Sequence, residues 1–128
     1  MEEIVHDPVS GIYPSTEDYV HALEVRGAGR MLFVSGTMGL DVDGVAGATL
    51  EAQLELIWGN IGTILASAGM DISNIARITS YMRKAEYAAA NEAARLAALG
   101  ARRVPTTALV AETLSPDWLV EIEVIAVA

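Results

Sequence analysis

The sequence predicts an α+β fold in the order ββαβαββ, with two helices on one face of a largely continuous sheet. Two stretches carry apolar residues at helical spacing, and five read as strands, three of them with explicit two-residue alternation. The clearest alternation is the last, Leu119 to Ala128, where Val120, Ile122, Val124 and Ala126 make one wholly apolar face. That face must be core. The opposite face holds Leu119, Glu121, Glu123, Ile125 and Val127, so two carboxylates stand on an otherwise greasy surface that a ligand or another chain is expected to cover.

Residues 1–16, with Pro8, Gly11, Pro14, Ser15 and Thr16, show no period and read as an irregular lead-in. From Tyr19 to Val25, Tyr19, His21, Leu23 and Val25 alternate with Val20, Ala22 and Glu24. This is the first predicted strand. Gly27-Ala28-Gly29 turns the chain into a second strand, Met31 to Ser35, as a hairpin. Gly36 to Gly47, with four glycines and the pair Asp41 and Asp43, reads as a loop. The first helix follows from Leu50 to Ala68: Leu54, Ile57, Trp58, Ile61 and Leu65 share a face, Glu51 lies in the first turn, and Gly69 stops it. Gly59 and Gly62 inside it suggest close packing against a sheet. Ile75 to Met82 is the third strand, residues 85–99 form an alanine-rich helix ending at Gly100, and Thr106 to Glu112 is the fourth strand. After a turn at Ser115-Pro116-Asp117 the last strand closes one domain over 1–128.

With 128 residues, 52% of them hydrophobic, the chain has material for one core and too little for two. A formal charge of −9 repels phosphate backbones and anionic membranes, which argues against nucleic acid as a partner. There is no cysteine, so disulfides, thiolate nucleophiles and zinc–thiolate sites are excluded. Met1-Glu2-Glu3 opens the chain without a basic or apolar leader, and no apolar run reaches the ~18 residues of a membrane helix. A cytoplasmic, soluble protein is expected. A mean hydropathy of +0.37 is high for so small and acidic a domain, and the surplus apolar surface predicts a homo-oligomer.

None of the strong local catalytic motifs occurs. Gly27-Ala28-Gly29 lacks the third glycine of a dinucleotide loop and leads into a strand, so it reads as a turn. Asp41 and Asp43 have no further oxygen ligands spaced to hold a cation, and no metal is expected. His21 reads as a packed strand residue. Glu121 and Glu123, roughly 7 Å apart along one strand face, are either interface charges or two carboxylates in unlike surroundings, of which one is functional.

Leu32-Phe33-Val34-Ser35-Gly36 and Leu119-Val120-Glu121-Ile122-Glu123-Val124-Ile125-Ala126 together resemble the RidA (YjgF) family. Between them, Ala68 to Ile75 is similar to the family's helix end and connector, and Tyr87 to Glu92 to the start of its second helix. The resemblance implies a chorismate-mutase-like fold assembled as a homotrimer, with an inner β-barrel and three clefts between subunits. It implies hydrolysis of a reactive imine or enamine, such as 2-aminoacrylate, to a ketoacid and ammonia, with no cofactor and no metal.

Carried over by position, the resemblance makes Glu121 and Tyr19 the catalytic residues, with Glu121 holding the attacking water. It makes Ser35, Gly36, Asn91, Thr106 and Thr107 the substrate-binding residues. Glu123 would be supporting or interfacial. One departure stands out. Where the family's deaminases carry an arginine that clamps the substrate carboxylate, this chain reads Val104-Pro105-Thr106-Thr107, with Thr106 at the arginine position. A guanidinium–carboxylate contact contributes ~1.5–3 kcal/mol, and a hydroxyl does not replace it. Arg102 and Arg103 fall out of register and read as solvated charges after a helix. Two functions therefore stay open: a deaminase with a non-standard substrate, or a catalytically inactive small-molecule-binding or trimeric interaction protein.

Overall fold

A computed structural model describes all residues, 1–128. Four strands form the main sheet: β3 (Met31–Met38), β4 (Ile75–Met82), β5 (Thr106–Val110) and β6 (Val120–Val127), in the spatial order β3-β6-β4-β5. β6 runs antiparallel to both of its neighbours, while β4 and β5 are parallel, so the sheet is mixed. Two helices, α1 (Leu50–Ser67) and α2 (Ala88–Leu99), pack together, and α1 lies on β3 and β6.

Apolar patterning decides which side is covered. Val120, Ile122, Val124 and Ala126 of β6 join Ile75 and Ile78 of β4 and Leu54, Ile57, Ile61 and Leu65 of α1 in one buried cluster. The predicted core face is therefore the helix-covered face. Thr49 caps α1, its hydroxyl accepting from the Ala52 amide at 3.1 Å. Gln53, buried on α1, donates to the carbonyls of Gly47 and Asp117 and accepts from the Leu119 amide, which fixes where β6 starts. Gly39 passes so close to α1 that a Cβ there would lie 2.5 Å from the Gln53 carbonyl oxygen. Asn60 secures the same crossing by donating to the carbonyls of Met38 and Leu40.

The amino-terminal region departs from expectation. Residues 1–16 are not irregular throughout, because β1 (Glu2–His6) forms a strand. It pairs antiparallel with β2 (Ala22–Arg26), from Glu2 opposite Arg26 to His6 opposite Ala22. The expected β2–β3 hairpin is absent, and this two-stranded ribbon stands apart from the main sheet. A bidentate ion pair, Arg102 Nη1 and Nη2 to Glu3 at 2.9 and 2.8 Å, ties the ribbon to the body. A strand of five residues whose partner lies sixteen residues further on leaves no local period to read. Tyr19 and His21 precede β2: the His21 amide donates to Asp7, and its ring pairs with the Tyr13 carbonyl, so they belong to a packed turn.

Smaller differences follow local chemistry. β3 continues through Gly36 to Met38 across a bulge between Val34 and Thr37, and β5 stops at Val110. Gly59 and Gly62 have open space where a Cβ would stand, so neither serves close packing here. A 3-10 turn at Ala85–Tyr87 precedes α2. No helix is long and apolar enough to cross a membrane.

Candidate functional site

The uncovered face of the main sheet collects most of the chemistry. Register places Tyr81 opposite Glu121, Thr79 opposite Glu123 and Arg77 opposite Ile125 across β4 and β6. On the far side of β4, Thr107 stands opposite Thr79 and Leu109 opposite Tyr81. Phe33 of β3, 70% exposed, stands opposite Ile125 on the same face. Apolar and ionic groups thus share one half-buried surface.

Glu121 meets the Ser35-Gly36 backbone closely: a Cβ on Gly36 would lie 2.3 Å from Glu121 Oε2. The glycine is required for space, and the bulge in β3 carries Ser35 and Gly36 past the carboxylate. A hollow of about 340 Å³ opens beside Glu121 and Glu123, walled by Tyr81 and by the loop Ala111 to Leu114. Arg83 holds that loop, donating to the Thr113 carbonyl and hydroxyl at 2.9 Å and to the Ser115 carbonyl at 3.2 Å.

The two carboxylates do have unlike surroundings. The Tyr81 hydroxyl donates to Glu123 Oε1 at 2.5 Å, whereas Glu121 accepts no hydrogen bond within the chain. That bond, then desolvation and the charges of Glu123 and Glu121, raises the Tyr81 pKa above its ordinary value, against a smaller opposing pull from Arg77. Tyr81 stays a donor and Glu123 stays engaged. Glu121 is left free to bind a water or a ligand.

The remaining candidates lie elsewhere. Thr106 pairs with buried Ile78, so it faces the helix side, and its hydroxyl donates to the Val104 carbonyl at 2.9 Å. Asn91, 2% exposed on α2, has an Oδ1 without a partner and no open route to a ligand within this chain. Tyr19 lies at the far end of the sheet. Arg95 of α2 holds the preceding residue by donating to the Asp18 carbonyl and carboxylate at 2.8 and 2.9 Å, and Arg103 donates to the Glu17 carbonyl at 2.7 Å. The neighbouring Arg102 grips the carbonyl of Ile75, the first residue of β4, while Glu121 pairs near its last, ~20 Å along the strand. Burial, then the neighbouring Tyr13, Asp18 and Asp7, raise the Tyr19 pKa, so its hydroxyl keeps its proton. Neither Arg102 nor Arg103 is a solvated charge: Arg102 is committed to Glu3 and the Ile75 carbonyl, and Arg103 to the carbonyls of Glu17, Gly100 and Arg102.

Glu121, Ser35, Gly36 and Thr107 therefore share one face, while Thr106, Asn91 and Tyr19 belong to the helix side or the opposite end. Sequence reasoning missed Arg77 and Tyr81, although the alternation of β4 had already put both on one side. The largest concavity, about 540 Å³ between α1 and α2, is lined by Leu54, Trp58, alanines, Glu51 and Glu55 and includes none of these residues. Asp41 folds its own loop, accepting from the amides of Asp43 and Val45 at 2.9 Å.

The sequence pattern of the family described as Endoribonuclease L-PSP matches residues 12–128. Among solved structures, a protein of unknown function of the conserved Rid family, YyfB from Yersinia pestis, is 27% identical with a TM-score of 0.85, covering 100% of both chains. The protein YJGH is 30% identical, TM-score 0.69, over 85% of this chain and 82% of that one. RidA from an Antarctic Psychrobacter shares the fold at 23% identity and TM-score 0.74, over 86% of this chain and 88% of its own. No curated protein sequence matches this chain.

Proposed function

The chain belongs to the Endoribonuclease L-PSP family, which includes the YjgF and Rid proteins, and on that premise we propose that it hydrolyses a reactive imine or enamine, releasing ammonia. The observation that carries this reading is Glu121: a half-buried carboxylate with no partner, pressed against Gly36 beside an open hollow. RNA cleavage suits the chain less well, because a net charge of −9 repels a polyanionic backbone.

Glu121 takes a proton from water as the oxygen adds to the imine carbon, and the C=N π electrons pass to nitrogen. The carbinolamine then collapses. Protonated Glu121 returns its proton to nitrogen, then takes the hydroxyl proton and relays it to the same nitrogen as C=O forms, the C–N bond breaks and ammonia leaves. Water plus imine becomes carbonyl plus ammonia, with no oxidant and no metal in the balance. An enamine enters the same route once protonated at carbon. Ser35 and Gly36 flank the reacting centre, and Glu123, held by Tyr81, supplies a fixed negative wall.

Assembly completes the site in this reading. Phe33 and Leu109 leave apolar surface open on the sheet face, a second copy covers it, and a homotrimer brings Tyr19 and Thr106 of one protomer to Glu121 of another. Asn91 acts from beneath as a positioning residue.

The test offers the protein imines generated in situ by an amino-acid oxidase, with semicarbazide as the competing trap. Wild type should speed ketoacid formation, and Glu121→Gln should lose about 10²–10⁴-fold while keeping its fold. Undiminished activity in that variant contradicts the assignment. A second reading, a catalytically silent small-molecule binder of the same fold, is favoured by Thr106, whose hydroxyl is spent on Val104 where a clamping cation would stand. It predicts that wild type is inert towards every imine offered while still binding the corresponding ketoacids.

A further inference from the structure

Of the seven arginines, Arg77 is the half-buried one whose donors are largely unspent. Arg95 and Arg102 pair with Asp18 and Glu3, and Arg83 and Arg103 each donate to several protein oxygens. Arg77 makes one hydrogen bond, Nη2 to Thr107 Oγ1 at 2.7 Å, and forms no ion pair. Four of its five N–H groups have no acceptor within the protomer, and the side chain borders a hollow of about 200 Å³ walled by Phe33, Thr79, Glu123, Val124 and Ile125. Glu123 borders the same hollow and keeps its charge, but it is held by the Tyr81 hydroxyl and stays more than 4.0 Å from the guanidinium, so it does not pair with Arg77. A half-buried guanidinium beside an apolar wall is costly to leave unmatched, and its fork suits a carboxylate or a phosphate.

We propose that Arg77, braced by Thr107, is an anion subsite that replaces the countercharge absent at Thr106, and that the substrate carries its anionic group several bonds away from the C=N carbon. The spacing argues for a remote group. Thr107 lies two strands across from β6 and one pleat along from Glu121, which places the guanidinium on the order of 10 Å from the carboxylate. An imine whose carboxylate sits on the reacting carbon cannot reach both. This specificity rests on the reading of Glu121 as the water-holding group, but the anion subsite itself does not.

Binding of stable carbonyl products separates the two. Titration calorimetry would compare 2-oxobutanoate, 2-oxoadipate and a phosphate monoester of a hydroxyketone on wild type, Arg77→Gln, Arg77→Lys and Thr107→Val. Wild type should bind one of the two remote anions at least tenfold more tightly than 2-oxobutanoate, and which one identifies carboxylate or phosphate. Arg77→Gln should erase that preference, and Arg77→Lys should keep part of it. Thr107→Val removes the brace while leaving the charge, and should retain most of the preference. Equal binding of all three probes to wild type, or a preference surviving in Arg77→Gln, overturns the proposal. So does a loss in Thr107→Val as large as in Arg77→Gln, which would make Arg77 a structural brace. If Arg77→Gln does not fold, the Arg77→Lys and Thr107→Val pair decides alone. Wild type that binds a remote anion yet turns over no imine defeats the deaminase reading and leaves the subsite standing.

Discussion

The two faces of the main sheet are built from the same strands and obey different rules. On the helix side, Ile78, Val120, Ile122 and Val124 are buried among apolar neighbours, and each adds to one hydrophobic cluster. On the other side, Arg77, Tyr81, Glu121 and Glu123 sit between Phe33, Leu109 and Ile125, and charge is held at half burial. One face spends its residues on folding. The other keeps groups that folding alone would not select, since partly buried carboxylates lower stability unless paired.

Substitutions one residue apart on β6 should sharpen that difference. Glu121→Gln should cut turnover about 10²–10⁴-fold and shift stability by no more than ~0.5 kcal/mol, checked by the trap assay and by urea unfolding. Ile122→Ala should do the reverse, lowering unfolding free energy by ~2–5 kcal/mol through a cavity in the core. Equal destabilisation by both would erase the distinction between faces. Gly36→Ala belongs between them. Its new methyl would drive the Glu121 carboxylate aside, which a flexible side chain permits, so activity should fall roughly tenfold while the unfolding midpoint moves little. Phe33→Ser should shift the proposed oligomer towards monomer in analytical ultracentrifugation, because it removes an aromatic anchor from the uncovered face.

The smallest effect concerns pH. The Tyr81 pKa is raised by its bond to Glu123, so the stability this pair contributes is fully present below the ordinary tyrosine value of about 10 and is lost as pH climbs through the raised value. Tm should fall more steeply above pH 10 in wild type than in Tyr81→Phe. The reverse sign holds for Glu3: the hydrogen bond from Arg102 lowers its pKa, and its contribution fades as acid takes pH below the ordinary glutamate range. In Glu3→Gln that acid-side loss should shrink.

What could be read from the chain depended on how local its cause was. β4 spans Ile75–Met82 as expected, and β6 follows its alternation, because burial on one side of each strand is written every second residue. β1 escaped notice because pairing with β2, sixteen residues on, and the Arg102 clamp supply its stability. The alternation of β4 already set Arg77 and Tyr81 on one side, but Glu123 joins them only through the β4–β6 register, more than forty residues away in sequence. Glu121 stood out from the alternation of β6, Gly36 only through a family pattern, and the close approach of one to the other supplies the physical reason for the pair.

The central claim is that Glu121 on the open face and Tyr19 at the far end act in one cleft between protomers. Co-expression of Glu121→Gln and Tyr19→Phe subunits, each inactive alone, tests it most directly. Random mixing leaves about a quarter of the clefts with both native residues, so the mixed protein should recover roughly that share of wild-type imine hydrolysis. A mixed oligomer that forms and remains as inactive as its parents would contradict the shared cleft.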